Sequence, residues 1–215
     1  MSQPVLYGYY RSSAAFRIRA AMAWKGIAFE TRPIHLVKGE HRADSFLAVN
    51  PQGQVPALEI DGAVLAQSMA ILEYLEEVRP EPPLLPKSPA ERGLVRWMTQ
   101  LVVADIHPIN NLRIGNYLRG TLGQGDEAVS AWMNHWMAEG FRPLEALVKR
   151  HGGLYCHGDA PSFADICLAP QMFNARRFGL DLGAFPALVA IDERLRALPA
   201  FISAHPENQP DFPPA

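Results

Sequence analysis

Val5-Leu6-Tyr7-Gly8-Tyr9 is a run of apolar and aromatic residues, long enough for a strand and too short for a helix. From Ala14 to Lys25 the period lengthens: Ile18, Ala21, Met22 and Lys25 fall along one side, and Gly26 follows as a stop. Ala28 to Ile34 returns to strand character. Val55 to Ile60 predicts a third strand, and Asp61-Gly62 predicts a tight hairpin into Ala63-Val64-Leu65-Ala66. Ser68 to Arg79 has helical spacing again. The order βαβ, then ββα, fills residues 1–80 as one compact α/β unit.

Five prolines then fall between Pro80 and Pro89. Each lacks an amide donor and fixes φ, so residues 81–89 read as a linker. Beyond it, residues 90–215 turn helical: Ala90 to about Leu118, Asp126 to Arg150, Ser162 to Phe178 and Pro186 to Leu198. Ser162-Phe163-Ala164-Asp165 is a capping-box variant, with Asp where Glu or Gln is commoner. The residues from His205 onward are proline-rich and read as an ordered or loose tail.

Composition narrows the class without changing this picture. Among 215 residues, 48% are hydrophobic and 20% charged, enough for full cores. A net charge of -2 argues against a whole-protein grip on nucleic acid. No run of about 18 apolar residues exists to suggest a membrane span, and the N-terminus has no signal-peptide core. Cys156 and Cys167 are the only cysteines, so a disulfide framework is not expected, and a reducing cytoplasm is. Cys156-His157 makes no metal site, because structural zinc needs four ligands. The reading is a soluble two-domain protein with no metal.

Three loops of the first unit could take a ligand. Val55-Pro56 opens a strand awkwardly, since proline cannot donate to the ladder. A cis bond there would free the Val55 backbone to pair with an extended peptide, whereas a trans bond on an edge strand would be ordinary. Gln67-Ser68 opens a helix, where Ser68 is either a simple cap or part of an anion site. Arg11-Ser12-Ser13 lies between the first strand and first helix, where hydroxyls and amides could cap the helix or stabilise a thiolate. All three loops fall on the same side of one βαβ-ββα unit, the pattern of a thioredoxin-like domain that holds glutathione.

The stretch Tyr10-Arg11-Ser12-Ser13-Ala14-Ala15-Phe16-Arg17-Ile18-Arg19-Ala20 resembles the signature of zeta-class glutathione transferases, Arg-Ser-Ser-Cys-x-Trp-Arg-Val-Arg-Ile-Ala. Asn50-Pro51 through Gln54-Val55-Pro56, Gln67-Ser68 and Leu72-Glu73-Tyr74-Leu75-Glu76-Glu77 carry the likeness further. So do Ile106-His107-Pro108-Ile109-Asn110-Asn111 and Asn174-Ala175-Arg176-Arg177-Phe178, so it spans nearly the whole chain. The resemblance implies a thioredoxin-like α/β N-terminal domain plus an all-α C-terminal domain, the glutathione transferase fold, in a homodimer. It implies glutathione as cofactor, with Ser12 activating the thiol, Ser13 supporting it and Val55 pairing with the cysteinyl backbone. Gln67 and Ser68 would hold the γ-glutamyl end, while His41, Gln54, His107 and Asn111 would contact the tripeptide. Two departures stand in the motif: Ala14 replaces the cysteine and Phe16 the tryptophan.

The activity implied is isomerisation of maleylacetoacetate to its fumaryl isomer in aromatic amino-acid breakdown. Thiolate addition makes a rotatable single bond, and elimination returns glutathione. The substrate is a small dicarboxylate, which calls for arginine forks. Arg11 beside the thiol site and Arg177 on a later helix are the candidates, with Arg113 following His107 and Asn111, four residues apart and so on one predicted helix face. Arg17 and Arg19 read as structural or surface residues. Rival functions are maleylpyruvate isomerisation, glutathione conjugation or dehalogenation of α-halo acids, and a glutathione-binding module without catalysis. A disulfide reductase would need a cysteine at the first helix, and position 14 is Ala14.

Overall fold

A computed structural model describes residues 3–213. Strands β1 (Val5–Gly8), β2 (Glu30–Pro33), β3 (Ala57–Ile60) and β4 (Ala63–Ala66) form one sheet in the order β2-β1-β3-β4. β1 and β2 run parallel, which requires a crossover, and helix α1 (Ser13–Trp24) supplies it. The β3–β4 pairing is antiparallel through Asp61 and Gly62, whose φ values of 51° and 82° are the left-handed pair such a hairpin needs.

The side-chain alternation of β1 divides the sheet's two faces. Val5 and Tyr7 pack with Ala57 and Phe46, the last from a short helix α2 (Asp44–Leu47) that the hydrophobic pattern did not announce. Helix α3 (Ser68–Val78) packs on α1. α1 is buried on nearly every side, from Ala15 through Met22, so it needs cover from more than one neighbour.

The second unit runs from Leu85 to Arg196. It contains α4 (Pro89–Gln100), α5 (Leu112–Gly120), α6 (Asp126–His151), α7 (Phe163–Arg177) and α8 (Pro186–Arg196). The single helix expected over 90–118 is corrected to α4, a π-helical turn over Leu101–Ile106, a 3-10 turn over His107–Ile109, and α5. Pro108 cannot donate to a carbonyl four residues back, and Asn111 restarts the helix as an N-cap, accepting from the Arg113 and Ile114 amides. α7 begins with the expected capping box: Asp165 accepts from the Ser162 amide and hydroxyl, at 2.8 and 2.7 Å. Burial raises the Asp165 pKa despite these bonds. Among the described residues no helix is long and apolar enough to cross a membrane.

The assignment of the whole of 90–215 to the helical domain needs a second correction. From Ala197 the chain belongs with the first unit, alongside the residues up to Leu84. Helix α9 (Pro199–Ala204) packs along α1 and gives it the missing cover; Phe201 and Ala204 are both buried. The expected linker is also tied down at its start. Lys25, with its side chain fully buried, donates to Glu76 at 2.8 Å, to the Arg79 carbonyl at 2.8 Å and to the Pro82 carbonyl at 3.0 Å. Glu76 in turn accepts the Leu84 amide. Every charge in this cluster is hydrogen-bonded, the condition for burying an ion pair without large penalty.

Candidate functional site

Within the first unit the three loops singled out by sequence each have a distinct geometry. Ser12 is the N-cap of α1, in extended conformation, and its Oγ accepts the Ala15 amide at 3.2 Å. Capping uses the oxygen as an acceptor and leaves its O–H to donate. A hydroxyl donor at the positive end of a buried helix suits a thiolate. Ser13 follows as the first, buried residue of the helix. Arg11 sits half-exposed with its guanidinium 6.0 Å from the ring centres of Tyr9 and Tyr10. Burial, then the Tyr10 hydroxyl, pushes the Tyr9 phenol up to about 12, so Tyr9 is neutral at neutral pH and no base.

The Val55-Pro56 bond is cis. β3 starts only at Ala57, so Val55 stands ahead of the paired register, half-buried and beside the strand's end. Gln67 precedes α3 with φ 68° and ψ 115°, a conformation that costs a non-glycine residue and persists where surroundings impose it. Its side chain reaches Gln52, donating Nε2–H at 2.8 Å. Ser68 is buried at the first turn of α3, where amides have no partners within the helix. These features fit an extended tripeptide: backbone ahead of the paired register at Val55, an anion-ready helix end at Ser68, and a donor for sulfur at Ser12.

His41 lies in a 3-10 turn (Glu40–Arg42), and its Nδ1 is buried without a protein partner among the described residues. Burial and the neighbouring Arg42 charge lower its pKa, so the neutral imidazole is favoured. Gln54 is half-buried, with its carbonyl accepting from Asn50 Nδ2 at 2.7 Å.

In the second unit, His107 begins the 3-10 turn and Asn111 is the α5 N-cap, so the shared helix face expected of them is corrected: they stand on successive elements. Asn111 spends its oxygen on the Arg113 and Ile114 amides and donates to the Pro108 carbonyl at 3.0 Å. Arg113 is exposed on α5. Arg177 is exposed at the end of α7, 4.2 Å over the Phe178 ring and 3.4 Å from Asn174 Oδ1. Among the described residues no group of three His, Cys, Asp or Glu side chains is placed to hold a metal.

Residues 2–77 match the model of the glutathione S-transferase N-terminal domain. Over 98% of its length the chain is 48% identical to a probable maleylacetoacetate isomerase of Vibrio cholerae, covering 99% of that protein. The chain belongs to the maleylacetoacetate isomerase family of glutathione transferases. Among solved structures, the holo form of a bacterial zeta-class maleylpyruvate isomerase matches with TM-score 0.95 at 44% identity, covering 97% of this chain and all of the other. The maleylacetoacetate isomerase of Methylobacterium extorquens AM1, solved with malonate and glutathione, matches with TM-score 0.93 at 40% identity over 98% of this chain and all of that one.

Two further residues, Asn50 and Arg17, support the N-terminal loops. Asn50, buried, holds the Gln54 carbonyl and also accepts the Gln52 amide at 3.1 Å, fixing the loop that leads into Val55. Arg17, read as structural or surface, is fully buried and donates to Ser68 Oγ at 3.1 Å. The Asn50-Pro51 to Pro56 stretch was a usable signal for the first. Nothing local signals the second, because Arg17 and Ser68 are 51 positions apart.

Proposed function

We propose that this protein is a glutathione-dependent isomerase that converts maleylacetoacetate to its fumaryl isomer. The observation that carries this is the full-length likeness to maleylacetoacetate isomerases, joined to a first unit whose three loops suit glutathione. Bound glutathione supplies a thiol that adds reversibly to the conjugated double bond, allows rotation and is regenerated.

The residues' roles follow from their geometry and from the family resemblance. Ser12 donates its hydroxyl hydrogen to the sulfur, and the α1 N-terminus adds favourable potential. Lowering a thiol from about 8.5 by one to two units is worth roughly 1.4–2.8 kcal/mol, within reach of a hydroxyl and a helix end. Ala14 takes no part, so the reacting sulfur belongs to glutathione. Val55, Gln54, His41, Gln67 and Ser68 hold the tripeptide, and Ser13 supports Ser12. Arg11 and Arg177 are assigned to substrate carboxylates, and His107, Asn111 and Arg113 to contacts with glutathione. Asn111 can do so only through its remaining amide hydrogen, since capping occupies its oxygen.

A homodimer in the cytoplasm completes the proposal. The buried thiols of Cys156 and Cys167 suit a reducing compartment, and exposed Val64 and Trp97 are apolar side chains a second copy could cover. Maleylpyruvate isomerisation is the second reading, favoured by the structural match to a maleylpyruvate isomerase.

Ser12→Ala tests the assignment. The variant should fold normally and lose more than about tenfold in isomerisation, a barrier increase of at least about 1.4 kcal/mol. Turnover equal to the parent protein would remove Ser12 from the mechanism. Supplying maleylacetoacetate and maleylpyruvate separately with glutathione decides between the two substrates.

A further inference from the structure

The turn that carries Ser12 is held by the far end of the chain. Tyr9 to Ser12 is a four-residue turn closed by the Ser12 amide donating to the Tyr9 carbonyl at 2.9 Å. Its two central residues are Tyr10 and Arg11. The Tyr10 amide donates to Asp211 Oδ2 at 2.9 Å, across 201 positions of sequence. The Tyr10 carbonyl accepts from Arg19 Nη2 at 3.0 Å, and Arg19 Nη1 lies 3.4 Å from the Tyr9 carbonyl. Arg19 Nε donates to the Ala204 carbonyl at 3.0 Å, tying the same guanidinium to the end of α9. The Phe212 ring meets Tyr10 edge-on at 5.5 Å. Both peptide groups flanking Tyr10 are therefore fixed from outside the turn, one by a buried arginine and one by the tail.

We propose that Asp211 is a positioning residue for thiol activation, acting with Arg19 to fix the Tyr9–Ser12 turn so that the Ser12 hydroxyl points at glutathione's sulfur. The inference rests on the assignment of Ser12 above. A turn closed only by its own 9→12 bond leaves the central Tyr10–Arg11 peptide unbonded and the Tyr10 amide without an acceptor, and rotation there moves Ser12 relative to α1. Asp211 and Arg19 together remove that freedom: Asp211 accepts the Tyr10 amide, and Arg19 donates to the Tyr10 carbonyl of the central peptide. Catalytic geometry is sensitive to displacements of about 1 Å, so a tail contact is enough to matter. Arg19 thereby gains a role beyond filling space: buried at 3% exposure, it spends its donors on carbonyls of the turn and of α9.

The test is the thiolate fraction of bound glutathione at neutral pH, read by ultraviolet difference absorbance, in the full-length protein and in Asp211→Ala, Asp211→Asn and Ser12→Ala. Asp211→Ala should bind glutathione with its thiol raised by about half a unit, so the thiolate fraction falls about twofold. Asp211→Asn keeps an acceptor oxygen and should restore the parent fraction. Should Asp211→Ala fail to fold, Phe212→Ala removes only the ring contact and should lower the fraction in smaller measure. An unchanged fraction in Asp211→Ala, with Ser12→Ala reduced, overturns the positioning role and leaves Ser12 in place. An unchanged fraction in Ser12→Ala overturns the Ser12 assignment itself. Equal losses in the Asn and Ala variants would mean that the carboxylate charge acts, not the hydrogen bond, and would also overturn the proposal.

Discussion

Ser12 was readable because caps have local chemistry: a short polar side chain just before an apolar-periodic run. The cap expected at Ser68 is corrected: Gln67 is the α3 N-cap, with no side-chain bond to the helix, and Ser68 is the first helical residue, its oxygen accepting from Arg17. What surrounds these loops was not readable. Arg17 reaches Ser68, and Asn50 reaches the Gln54 carbonyl, through contacts that no periodicity encodes. His41 gives this scale its pH prediction. Its folded-state pKa lies below the ordinary 6.5, through burial first and Arg42 second. The folded protein therefore binds fewer protons than the unfolded chain near that pH, and the contribution, full above 6.5, is lost as pH falls through the depressed value. Urea titrations from about pH 7 to about pH 5 should show stability falling less steeply in His41→Gln than in the parent. The same slope in both would show that His41 is not the group responsible.

Elements were legible where hydrophobic period and stop signals agreed. α1, α3, α6, α7 and the Asp61-Gly62 hairpin lie within a few residues of their expected bounds, and the capping box at Ser162 is formed. The stretch from Ala90 to Leu118 failed because apolar periodicity persists through Pro108 while the backbone hydrogen bonding cannot. The π-helical turn that replaces regular helix there lies close against α6. A methyl group at Gly140 would stand 2.3 Å from Ile106 Cγ1 and 2.5 Å from its Cδ1. Ile106 is completely buried, so it has no easy direction in which to retreat. Gly140→Ala should therefore destabilise the protein by about 1–3 kcal/mol despite alanine's better helix propensity, and Ile106→Ala in the same chain should recover part of the loss. Chemical denaturation of the two variants measures both. A Gly140→Ala variant as stable as the parent would mean that the π turn yields freely.

For the molecule as a whole, the α/β-then-helical order was visible from the switch in hydrophobic period and the proline cluster between. The return of the chain to its first unit was not, since the amphipathic pattern of a helix says that it must be covered but not by what. α9 and the residues after it complete the burial of α1 and reach the turn before Ser12. A fragment ending at Leu84 should accordingly lose fixed packing around α1, visible as a loss of near-ultraviolet circular dichroism, although its sheet is complete. Native-like signals from that fragment would show that α9 is dispensable to the first unit.

Glutathione acts as a regenerated cofactor in isomerising a maleyl acid, with Ser12 proposed to activate its thiol. The most direct measurement supplies purified protein with maleylacetoacetate and a small, known amount of glutathione, following loss of the maleyl chromophore together with free thiol. Many turnovers per glutathione, no reaction without it, and a thiol concentration unchanged at the end are expected. Thiol consumed one for one with substrate, or no isomerisation of either maleyl acid, would contradict that role for glutathione.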